Sequence, residues 1–473
     1  MTAQTILPAN SAASGGFEVA NSCRFDSGSS AYMHKTPDSA SNRRTFTIST
    51  WIKRSKLGAS QFVYNVRPDS NGATGIFFTS GDVLFLTIEP ISKTLVTNRV
   101  FRDISAWYHI VYAIDTTQGT AANRIKLYVN GVQETSFSAA SYPDENADLD
   151  VNTANPINIG RRLENSSDFI GAYLSEFVFI DGLALAPTSF GEFDEDSGIW
   201  KPKRVSGLTF GTNGFYLNFQ ASGNLGNDAS GGTDLTESGL AATDQTTDTC
   251  TNNFATWNPL ACAMQNVGNN VTFSEGNLKA VGTSGGEGTL ISTIAVNSGK
   301  WYAEFKMIDV ADGNFSQVAL LDEEAVVKIT GGTGATISRG NVTVKPNGDL
   351  FIAETRSQSW GPTFTDNDII QIAADLDNGA FYFGKNGTYS NSGNPESGAS
   401  KTGAAYAFTA SSKLWFFAGG LNGTGSAVEA NFGSPSYSES GGNSDGDGHG
   451  NFSMAVPSGY FARNTKNLAE YGG

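Results

Sequence analysis

The sharpest arrangement of potential metal ligands in this sequence lies near its carboxyl end. Asn443, Asp445 and Asp447 place side-chain oxygens at positions 1, 3 and 5 of a loop, and Gly448 occupies position 6. Calcium prefers oxygen ligands, and calcium loops use this spacing with a glycine at the sixth position. The twelfth position, which would supply a bidentate glutamate, holds Met454. Two interpretations stay open, a calcium site or a flexible acidic insertion without a cofactor, and we favour the insertion.

Carboxylates that cleave a glycosidic bond must flank that bond as a pair. The required separation is about 5–5.5 Å in a retaining mechanism and about 6.5–9.5 Å in an inverting mechanism. The nearest candidates are Glu176, Glu304 and the run 322–324, in which neighbouring side chains point to opposite faces of a strand. We interpret all of them as ordinary solvated carboxylates and predict that the protein is not an enzyme.

The histidines give no catalytic pattern. His34, His109 and His449 are scattered along the chain, and no Gly-x-Ser-x-Gly elbow precedes a helical segment. His109 lies in the segment WYHIVY, where alternation places it opposite Tyr108 and Ile110. We therefore expect a strand histidine that is satisfied by a neighbouring group, not a catalytic base.

Aromatic side chains on loops are the candidates for glycan binding, which needs a ring platform beside Asn, Asp or Arg side chains. Trp360, in SQSWGPTF, is the best loop tryptophan. We expect the tryptophans of strand-like segments in domain cores: Trp51, Trp107, Trp301 and Trp415. Trp360 either contributes to a ligand-binding rim or fills a core in the same way.

Composition points to an all-β protein. The 473 residues include 55 glycines, 11% aromatic and only 16% charged residues, which favours many short strands joined by glycine turns. Helical bundles need long runs of Ala, Leu, Glu and Lys, and this composition does not suit them. A chain of this length should form two or more domains. We predict two antiparallel β-sandwich (jelly-roll) domains joined by a linker.

Charge and hydropathy argue against several kinds of partner. The formal net charge of -16 disfavours nucleic-acid binding, which needs clustered Lys and Arg. The amino-terminal segment has no basic start, and no stretch of about 18 apolar residues occurs, so we expect neither a signal peptide nor membrane insertion. We expect folding in a cytoplasm. Three cysteines are too few for a disulfide framework, although a Cys250–Cys262 bridge stays an alternative to reduced thiols.

Strand-like segments fall into two blocks, residues 17–205 and 257–460, after an extended arm at 1–16. The intervening segment, 206–256, is rich in Gly, Thr, Asp and Ser, and we predict a linker there. Residues 461–473 form a short polar tail. Tight turns are expected inside the blocks at Asn130-Gly131 and at Asp377-Asn378-Gly379, whose residue types tolerate positive φ.

The first block resembles the concanavalin A-like, laminin-G-like jelly rolls of lectins and phage structural proteins. The resemblance rests on six segments in register: FDSGSSAYM (25–33), FTISTWIKR (46–54), WYHIVYAID (107–115), IKLYVNGV (125–132), INIGRR (157–162) and FIGAYLSEFVFIDGLAL (169–185). Hydrolases of this family carry Glu-x-Asp-x-x-Glu on one strand, a pattern missing here. Metal-binding relatives often carry acids where Ile170 and Ser175 stand, which counts against a calcium site in this block.

The second block is similar to SPRY-type sandwiches over roughly residues 265–433. The matching segments are GKWYAEFK (299–306), the Trp360-Gly361 pair, DNDIIQIAADLDNGAFYFGKNG (366–387) and AVEANFG (427–433). The resemblance implies that Trp360 lies where SPRY-type domains shape their binding rim.

Connecting and terminal segments resemble those of marine-phage fibre-like virion proteins. They are LNFQASGNLGNDASGG, DTCTNNFATWNPL (248–260) and VPSGYFARNTKNLAEYGG (456–473). The resemblance implies a structural component of a phage virion, made in the host cytoplasm: a tail or fibre protein that contributes to attachment to host-surface glycans. Other virion proteins are the expected partners, and a homotrimer is a family expectation. The alternatives are a capsid decoration protein without a ligand and a polysaccharide-degrading enzyme.

Overall fold

The computed structural model describes residues 16–69, 72–163, 167–263, 270–283, 287–310, 316–330, 341–353, 355–359, 361–439 and 441–472. The chain separates into two compact units, Met1–Asn253 (unit 1) and Phe254–Gly473 (unit 2), and each has its own hydrophobic core. Strands dominate both units, which confirms the prediction of an all-β fold. No helix in the described ranges is long and apolar enough to cross a membrane.

Unit 1 consists of two eight-stranded sheets and one additional hairpin. Its strands are β1 (Ser22–Phe25), β2 (Tyr32–Lys35), β3 (Thr45–Arg54), β4 (Gln61–Asp69), β5 (Gly72–Phe78), β6 (Val83–Ile88), β7 (Lys93–Val100), β8 (Trp107–Asp115), β9 (Ile125–Val129), β10 (Val132–Gln133), β11 (Phe137–Ala140), β12 (Ile157–Ile159), β13 (Ala172–Asp181), β14 (Gly191–Phe193), β15 (Trp200–Pro202), β16 (Phe215–Leu217), β17 (Thr236–Ser238) and β18 (Gln245–Thr246). The first sheet has the order β10-β9-β8-β3-β13-β1-β18, with β16 also paired to β13. The second sheet has the order β11-β7-β6-β5-β4-β12-β2-β17, and β14 pairs with β15.

Alternation along the strands builds the core of unit 1, because successive side chains of a strand point to opposite faces. In β6, Leu84, Leu86 and Ile88 are buried in the core, and the residues between them are half-buried on the other face. Between β9 and β10, Asn130 and Gly131 have φ of 50° and 77°. Two successive positive φ values form the tight hairpin turn that the sequence predicts there.

Residues 206–253 belong to unit 1, so the prediction of a linker at 206–256 is wrong. Within this segment β16 pairs with β13, β17 with β2 and β18 with β1. Its apolar side chains enter the core of unit 1: Leu217, Phe219, Leu225 and Leu235. Asp248 forms a buried ion pair, with 2.7 Å between its Oδ2 and Lys53 Nζ. The strands here contain only two or three residues each, too few for a periodic pattern in the sequence.

The described residues of unit 2 also form two sheets, of nine and six strands. Its elements are α1 (Pro259–Ala263), β19 (Val271–Ser274), β20 (Lys279–Gly282), β21 (Glu287–Ile291), β22 (Lys300–Asp309), β23 (Gln317–Asp322), α2 (Glu323–Thr330), β24 (Val342–Val344), β25 (Asp349–Ile352), β26 (Thr355–Ser359), β27 (Ile369–Asp375), β28 (Ala380–Lys385), β29 (Thr388–Tyr389), β30 (Tyr406–Ala407), β31 (Trp415–Asn422), β32 (Ala427–Asn431), β33 (Phe461–Ala462) and α3 (Thr465–Tyr471). The nine-stranded sheet has the order β19-β20-β32-β22-β27-β28-β29, with β30 paired to β28 and β33 to β22. The six-stranded sheet has the order β21-β31-β23-β24-β25-β26.

Of the residues predicted as a polar tail, 461–473, the described ones, 461–472, contribute to unit 2. Phe461 and Ala462 form a short strand parallel to β22, and the Asn464 side chain caps α3 by accepting a hydrogen bond from the Asn467 N–H. Arg463 is fully buried, with its guanidinium carbon 3.9 Å from the centroid of the Phe417 ring. Burial lowers the pKa of Arg463 to about 9. The carboxyl-terminal segment is therefore an integral part of this core.

The four tryptophans predicted in domain cores and two cysteines of the chain lie in buried positions. The four strand tryptophans are buried as expected: Trp51, Trp107, Trp301 and Trp415. Cys23 and Cys250 are buried free thiols, so the alternative of a Cys250–Cys262 bridge is wrong. Because burial raises the pKa of both thiols well above its usual value, they stay protonated and unreactive at neutral pH.

Candidate functional site

The face of the second sheet of unit 1 that points away from the core is here called the outer face. It carries a row of residues, polar except for one glycine, here called the polar row. One residue from each of seven neighbouring strands lies in register along it: Thr236, His34, Asn158, Asn65, Gly75, Thr87 and Thr94. The register follows from alternation, because the neighbours of these residues along each strand point into the core. The row crosses the sheet perpendicular to its strands.

A row of phenylalanine rings, here called the aromatic row, accompanies the polar row. Phe62 of β4, Phe77 of β5 and Phe85 of β6 are cross-strand partners. Their ring centroids are 4.5 and 4.8 Å apart, with interplanar angles of 14° and 23°. Phe62 is buried, whereas Phe77 and Phe85 are half-buried. Gly75 leaves room for the row, since a Cβ at that position would lie 2.7 Å from Phe62 Cε1.

Arginines extend the same face. The Arg161 guanidinium carbon lies 3.5 Å from the centroid of the Tyr32 ring, and Arg161 Nε donates to Asn158 Oδ1 at 2.9 Å. Arg162 lies over the Phe62 ring at 5.9 Å. Planar guanidinium groups stacked on rings keep their N–H donors fixed in direction. The outer face therefore combines flat apolar surface with oriented donors.

Two polar atoms in the polar row have no hydrogen-bond partner among the described residues. They are Asn158 Nδ2, on a fully buried side chain, and His34 Nδ1. Burial, followed by the charge of Arg161, lowers the pKa of His34. The imidazole is thus neutral at pH 7 and has one nitrogen that accepts and one that donates. Both atoms are buried, so neither is exposed to a ligand at the surface of the sheet.

This arrangement suits a polyhydroxylated ligand. A sugar ring presents a C–H face, which packs on aromatic rings, and hydroxyl groups, which need donors and acceptors at its edge. The half-buried Phe77 and Phe85 rings offer the first, and the His, Thr and Arg side chains offer the second. No group of three or more His, Cys, Asp or Glu side chains that could hold a metal exists within the described part of the chain.

Comparison with known proteins agrees with this unit's architecture. Residues 26–187 match the family model of the concanavalin A-like lectin/glucanase superfamily, of laminin-G type. No curated protein matches the chain in sequence. The match lies entirely within unit 1 and includes β2, β4, β5, β6, β7 and β12, which carry most of the outer face.

Solved structures also match parts of this chain, among them the following three. The SPRY domain of human HERC1 is 17% identical, with 37% of this chain and 96% of that chain covered and a TM-score of 0.28. The heptameric SAP-like pentraxin from Limulus polyphemus is 14% identical, with 36% and 80% covered and a TM-score of 0.27. A human SPRY domain is 14% identical, with 36% and 97% covered and a TM-score of 0.25.

Of the residues that the sequence singles out for ligand binding, Trp360 lies outside the described residues. The loop predicted for calcium is described. Asp445 is buried there, and its Oδ1 accepts the N–H groups of Asp447 (3.1 Å) and His449 (2.8 Å). Its Oδ2 accepts from Ala462 N (2.9 Å) and Asn467 Nδ2 (2.8 Å).

The other two predicted calcium ligands do not converge on Asp445. Asn443 Nδ2 donates to the carbonyl groups of Phe452 and Ser453, both at 3.2 Å, and Asp447 is exposed. Four N–H donors already occupy the Asp445 carboxylate. The loop is thus closed by hydrogen bonds, and a calcium ion there stays a prediction of the sequence alone.

Glu304 is buried, which corrects its interpretation as a solvated carboxylate. Its Oε1 accepts from the Tyr302 hydroxyl (2.9 Å) and Met454 N (2.8 Å), and its Oε2 accepts from Ser453 N (2.9 Å). Burial raises the pKa of Glu304 to about 7, against the lowering effect of these hydrogen bonds. The side chain is fully enclosed and has no open path to a polymer substrate.

Glu176 is also buried, which corrects its interpretation as a solvated carboxylate. It lies in β13, is 6% exposed and accepts a short hydrogen bond from the Tyr216 hydroxyl. Burial raises the pKa of Glu176 to about 7. The run 322–324 divides between β23 and α2, where Asp322 Oδ1 accepts the N–H of Ala325.

His109 confirms the expectation of a satisfied strand histidine. Trp200 Nε1 donates to its Nδ1 at 3.0 Å, so Nε2 carries the proton and faces Ser49 Oγ at 2.9 Å. The imidazole stacks on Trp51, with 4.6 Å between ring centroids. Burial lowers the pKa of His109 to about 3, so it stays neutral.

The residues of the outer face were not singled out from the sequence, although a signal was present. In β5 and β6, Phe77 and Phe85 alternate with the core residues Ile76, Leu84 and Leu86. An aromatic residue at the position that alternation assigns to solvent indicates a binding surface. Tyr32 and Asn158 gave no such signal, because β2 and β12 are too short to show a period.

Proposed function

We propose that this protein binds carbohydrate chains on the outer face of unit 1. The observation that supports the proposal best is the aromatic row, whose half-buried Phe77 and Phe85 rings share the outer face with the half-buried Thr87 and Thr94 side chains. The concanavalin A-like family, which includes lectins and glucanases, matches this unit. An open sheet face suits a polymer that lies across the strands, with several weak contacts instead of one deep pocket.

We further propose that the protein is a structural component of a phage virion, placed on a tail or fibre, where many copies give avidity for host-surface glycans. This setting is supported by the resemblance of residues 248–260 and 456–473 to phage fibre-like proteins. Other virion proteins would be its partners, and a homotrimer fits such a particle. Immunogold electron microscopy of source virions tests the setting. Label on tails or fibres supports it, label over the capsid favours a decoration protein, and missing label overturns it.

Affinity electrophoresis tests the binding face directly. The full chain would run through gels that contain dextran, laminarin, mannan or agarose, all neutral polysaccharides. Wild type should be retarded by at least one of them. The double variant Phe77→Leu/Phe85→Leu keeps apolar volume but removes both flat rings, so its affinity should fall at least about tenfold. Phe193→Leu is the matched control, because Phe193 is 49% exposed and lies on β14.

The outcome of that experiment is decisive for the outer face. Retardation of wild type that the double variant retains in full would refute a role for the aromatic row. Absence of retardation by all four polymers would refute binding of neutral polysaccharides. An equal loss in Phe193→Leu would show that the effect does not belong to this face.

Polysaccharide cleavage is the alternative activity for this fold family. It predicts new reducing ends when the protein is incubated with a polymer that it binds, and loss of that activity in Glu176→Gln or Glu304→Gln. Binding without cleavage is favoured by the burial of both carboxylates, because a hydrolase needs its acid and its second carboxylate beside an accessible bond. Release of reducing ends by wild type would overturn the non-enzymatic proposal.

A further inference from the structure

Unit 1 has a surface pocket of about 420 Å³, separate in its lining residues from the outer face. Three short loops enclose it, and their residues are Lys35–Ser39, Phe210–Gly214 and Ser230–Thr233. Pockets that bind small molecules commonly measure about 300–1,000 Å³. The lining combines one ring, Phe210, with the hydroxyl groups of serine and threonine and the ammonium group of Lys35.

Buried carboxylates hold two of these loops in place. Asp181 Oδ2 accepts the N–H groups of Thr212 (3.1 Å) and Asn213 (3.0 Å). Asp228 Oδ1 accepts from Ser230 N (3.0 Å), from the Ser230 hydroxyl (2.6 Å) and from Tyr216 N (2.9 Å). Charge-assisted hydrogen bonds of this kind fix loop geometry before a ligand arrives. The pocket is therefore preorganised, which lowers the entropic cost of binding.

The side-chain amide of Asn213 ties the loop 210–214 to the loop 35–39. Asn213 Nδ2 donates to the carbonyl of Ser39 (3.0 Å) and to the hydroxyl of Ser41 (2.7 Å). Glycines allow the tight paths of the chain. Gly211 has φ of 78°, and a Cβ there would lie 2.2 Å from the carbonyl oxygen of Asp181. The backbone of the 210–214 loop thus packs directly against β13.

Lys35 is the charged group of the pocket, and Asp228 orients it. Lys35 Nζ lies 3.8 Å from Asp228 Oδ2, and the two side chains are 12% and 0% exposed. Asp228 Oδ2 has no hydrogen-bond partner among the described residues, because its distance of 3.8 Å from Lys35 Nζ is that of an ion pair without a hydrogen bond. The ammonium also lies 5.8 Å from the centroid of the Phe215 ring. The ammonium group is thus held at the pocket wall, and the N–H donors that do not face Asp228 can meet a ligand oxygen.

Charge decides which oxygen-rich ligand fits. The Lys35–Asp228 pair is neutral overall, and the other charged lining residue, Asp38, is exposed at the rim. An anionic ligand would gain nothing from an ammonium group that is already neutralised and would be repelled by Asp38. A neutral polyhydroxylated ring of roughly 12 non-hydrogen atoms fits the volume and matches the hydroxyl-rich lining.

We infer that this pocket is a second carbohydrate site, which binds a single neutral hexose unit with Lys35 donating to its hydroxyl groups. The inference deepens the proposed function, on which it rests for the class of ligand. The outer face would hold an extended chain and the pocket one unit or chain end. With few contacts, a dissociation constant on the order of 1 mM is expected for a free monosaccharide.

Saturation-transfer NMR on the full chain tests this site. The probes are methyl α-glucoside, methyl β-galactoside, methyl α-mannoside and glucuronic acid. Wild type should show transfer to at least one neutral glycoside and little to glucuronic acid. Lys35→Met keeps the length of the side chain but removes its donors, so transfer should fall at least about fivefold. Lys203→Gln is the control, because Lys203 is exposed and does not line the pocket.

The polymer experiment distinguishes the two sites. Wild type that is retarded by a polysaccharide but shows no transfer to any glycoside overturns the pocket and leaves the outer face intact. Transfer that persists in Lys35→Met also overturns it. Transfer to glucuronic acid alone overturns the neutral ligand class. If wild type shows neither retardation by a polysaccharide nor transfer to a glycoside, the proposed function and this inference are both overturned. A second variant, Asp228→Asn, should weaken transfer by releasing Lys35.

Discussion

Glu176 combines two features that cost free energy at one residue. Its φ of 49° lies inside β13, at a bulge between Ser175 and Val178, where a non-glycine residue in this region costs about 1–3 kcal/mol. Its carboxyl group is buried beside Tyr216. A strained backbone of this kind persists only where surrounding contacts stabilise it. At Glu176 the hydrogen bond from Tyr216 is such a contact, and it lies at the bulge in β13.

Glu176 yields a prediction about pH. Burial raises its pKa to about 7, so between about pH 4.5 and pH 7 the folded state binds this proton more tightly than the unfolded state. The stabilisation from this group is full below about pH 4.5 and is lost as the pH rises through about 7. Its loss amounts to about 3 kcal/mol. In Glu176→Gln, urea unfolding should show a correspondingly smaller fall in stability between about pH 5 and pH 8.

The exposed Glu195 provides the control for that measurement. Glu195→Gln should follow the wild-type pH profile. If Glu176→Gln also follows it, Glu176 is ionised in the folded protein at pH 5, and burial does not raise its pKa.

Residue-level sequence reasoning succeeded where alternation alone decides burial and failed where tertiary contacts decide it. The orientation of His109 was predictable because β8 alternates over nine residues. The burial of Glu304 was not, because on β22 it lies on the polar side and is enclosed by Ser453 and Met454, remote in sequence. The aromatic row needs the pairing of β4, β5 and β6, which a single sequence does not contain.

At the scale of elements, Asp445 connects a loop to the carboxyl-terminal strand and helix. Its two oxygens accept four N–H groups, including those of Ala462 in β33 and Asn467 in α3. In Asp445→Asn an amide group would face donors, so the free energy of unfolding should fall by about 2–4 kcal/mol. Urea unfolding of the variant measures the change, with the exposed Asp447→Asn as control.

The effect of calcium on stability distinguishes a loop that is closed by hydrogen bonds alone from a loop that binds a calcium ion. Because hydrogen bonds already satisfy Asp445, the wild-type unfolding curve should coincide in excess calcium and in excess chelator. A stability increase in calcium that Asp447→Asn abolishes would establish the loop as a calcium site.

The segment 206–253 shows the limit of sequence reasoning for elements. Long alternating strands such as β3 and β13 were predictable, whereas β16, β17 and β18 contain only two or three residues each. Gly, Asp and Thr dominate the composition there, and the few apolar residues gave no period. What holds the segment is the sparse insertion of leucine and phenylalanine side chains into a core formed by distant strands.

Leu235 tests whether this segment is structural. It is 3% exposed and packs in the core of unit 1. Leu235→Ala would leave a cavity and should lower the free energy of unfolding by about 2–5 kcal/mol. Leu183→Ala, at a side chain 43% exposed, should change it by less than about 1 kcal/mol. Equal and small effects in urea unfolding would mean that 206–253 contributes no core.

For the whole molecule, charge sets the range of partners. With 30 basic and 46 acidic residues, the chain has a formal net charge of -16 and is repelled by polyanions. Both proposed carbohydrate sites are suited to a neutral ligand, which meets stacked rings, hydroxyl groups, arginine N–H donors and an ammonium group balanced by Asp228. Binding of neutral polymers should therefore depend only weakly on salt, in contrast to nucleic-acid binding.

The division into two units leads to a prediction for unfolding as a whole. Because each unit has its own core, differential scanning calorimetry should resolve two transitions. Leu235→Ala should lower the midpoint of one, and Asp445→Asn that of the other. Units of this size shift by about 2–4 °C per kcal/mol, so the midpoint should fall by roughly 4–20 °C in Leu235→Ala and by roughly 4–16 °C in Asp445→Asn. Since the other transition in each variant is an internal control, a single transition that both substitutions lower equally would mean that the cores unfold together.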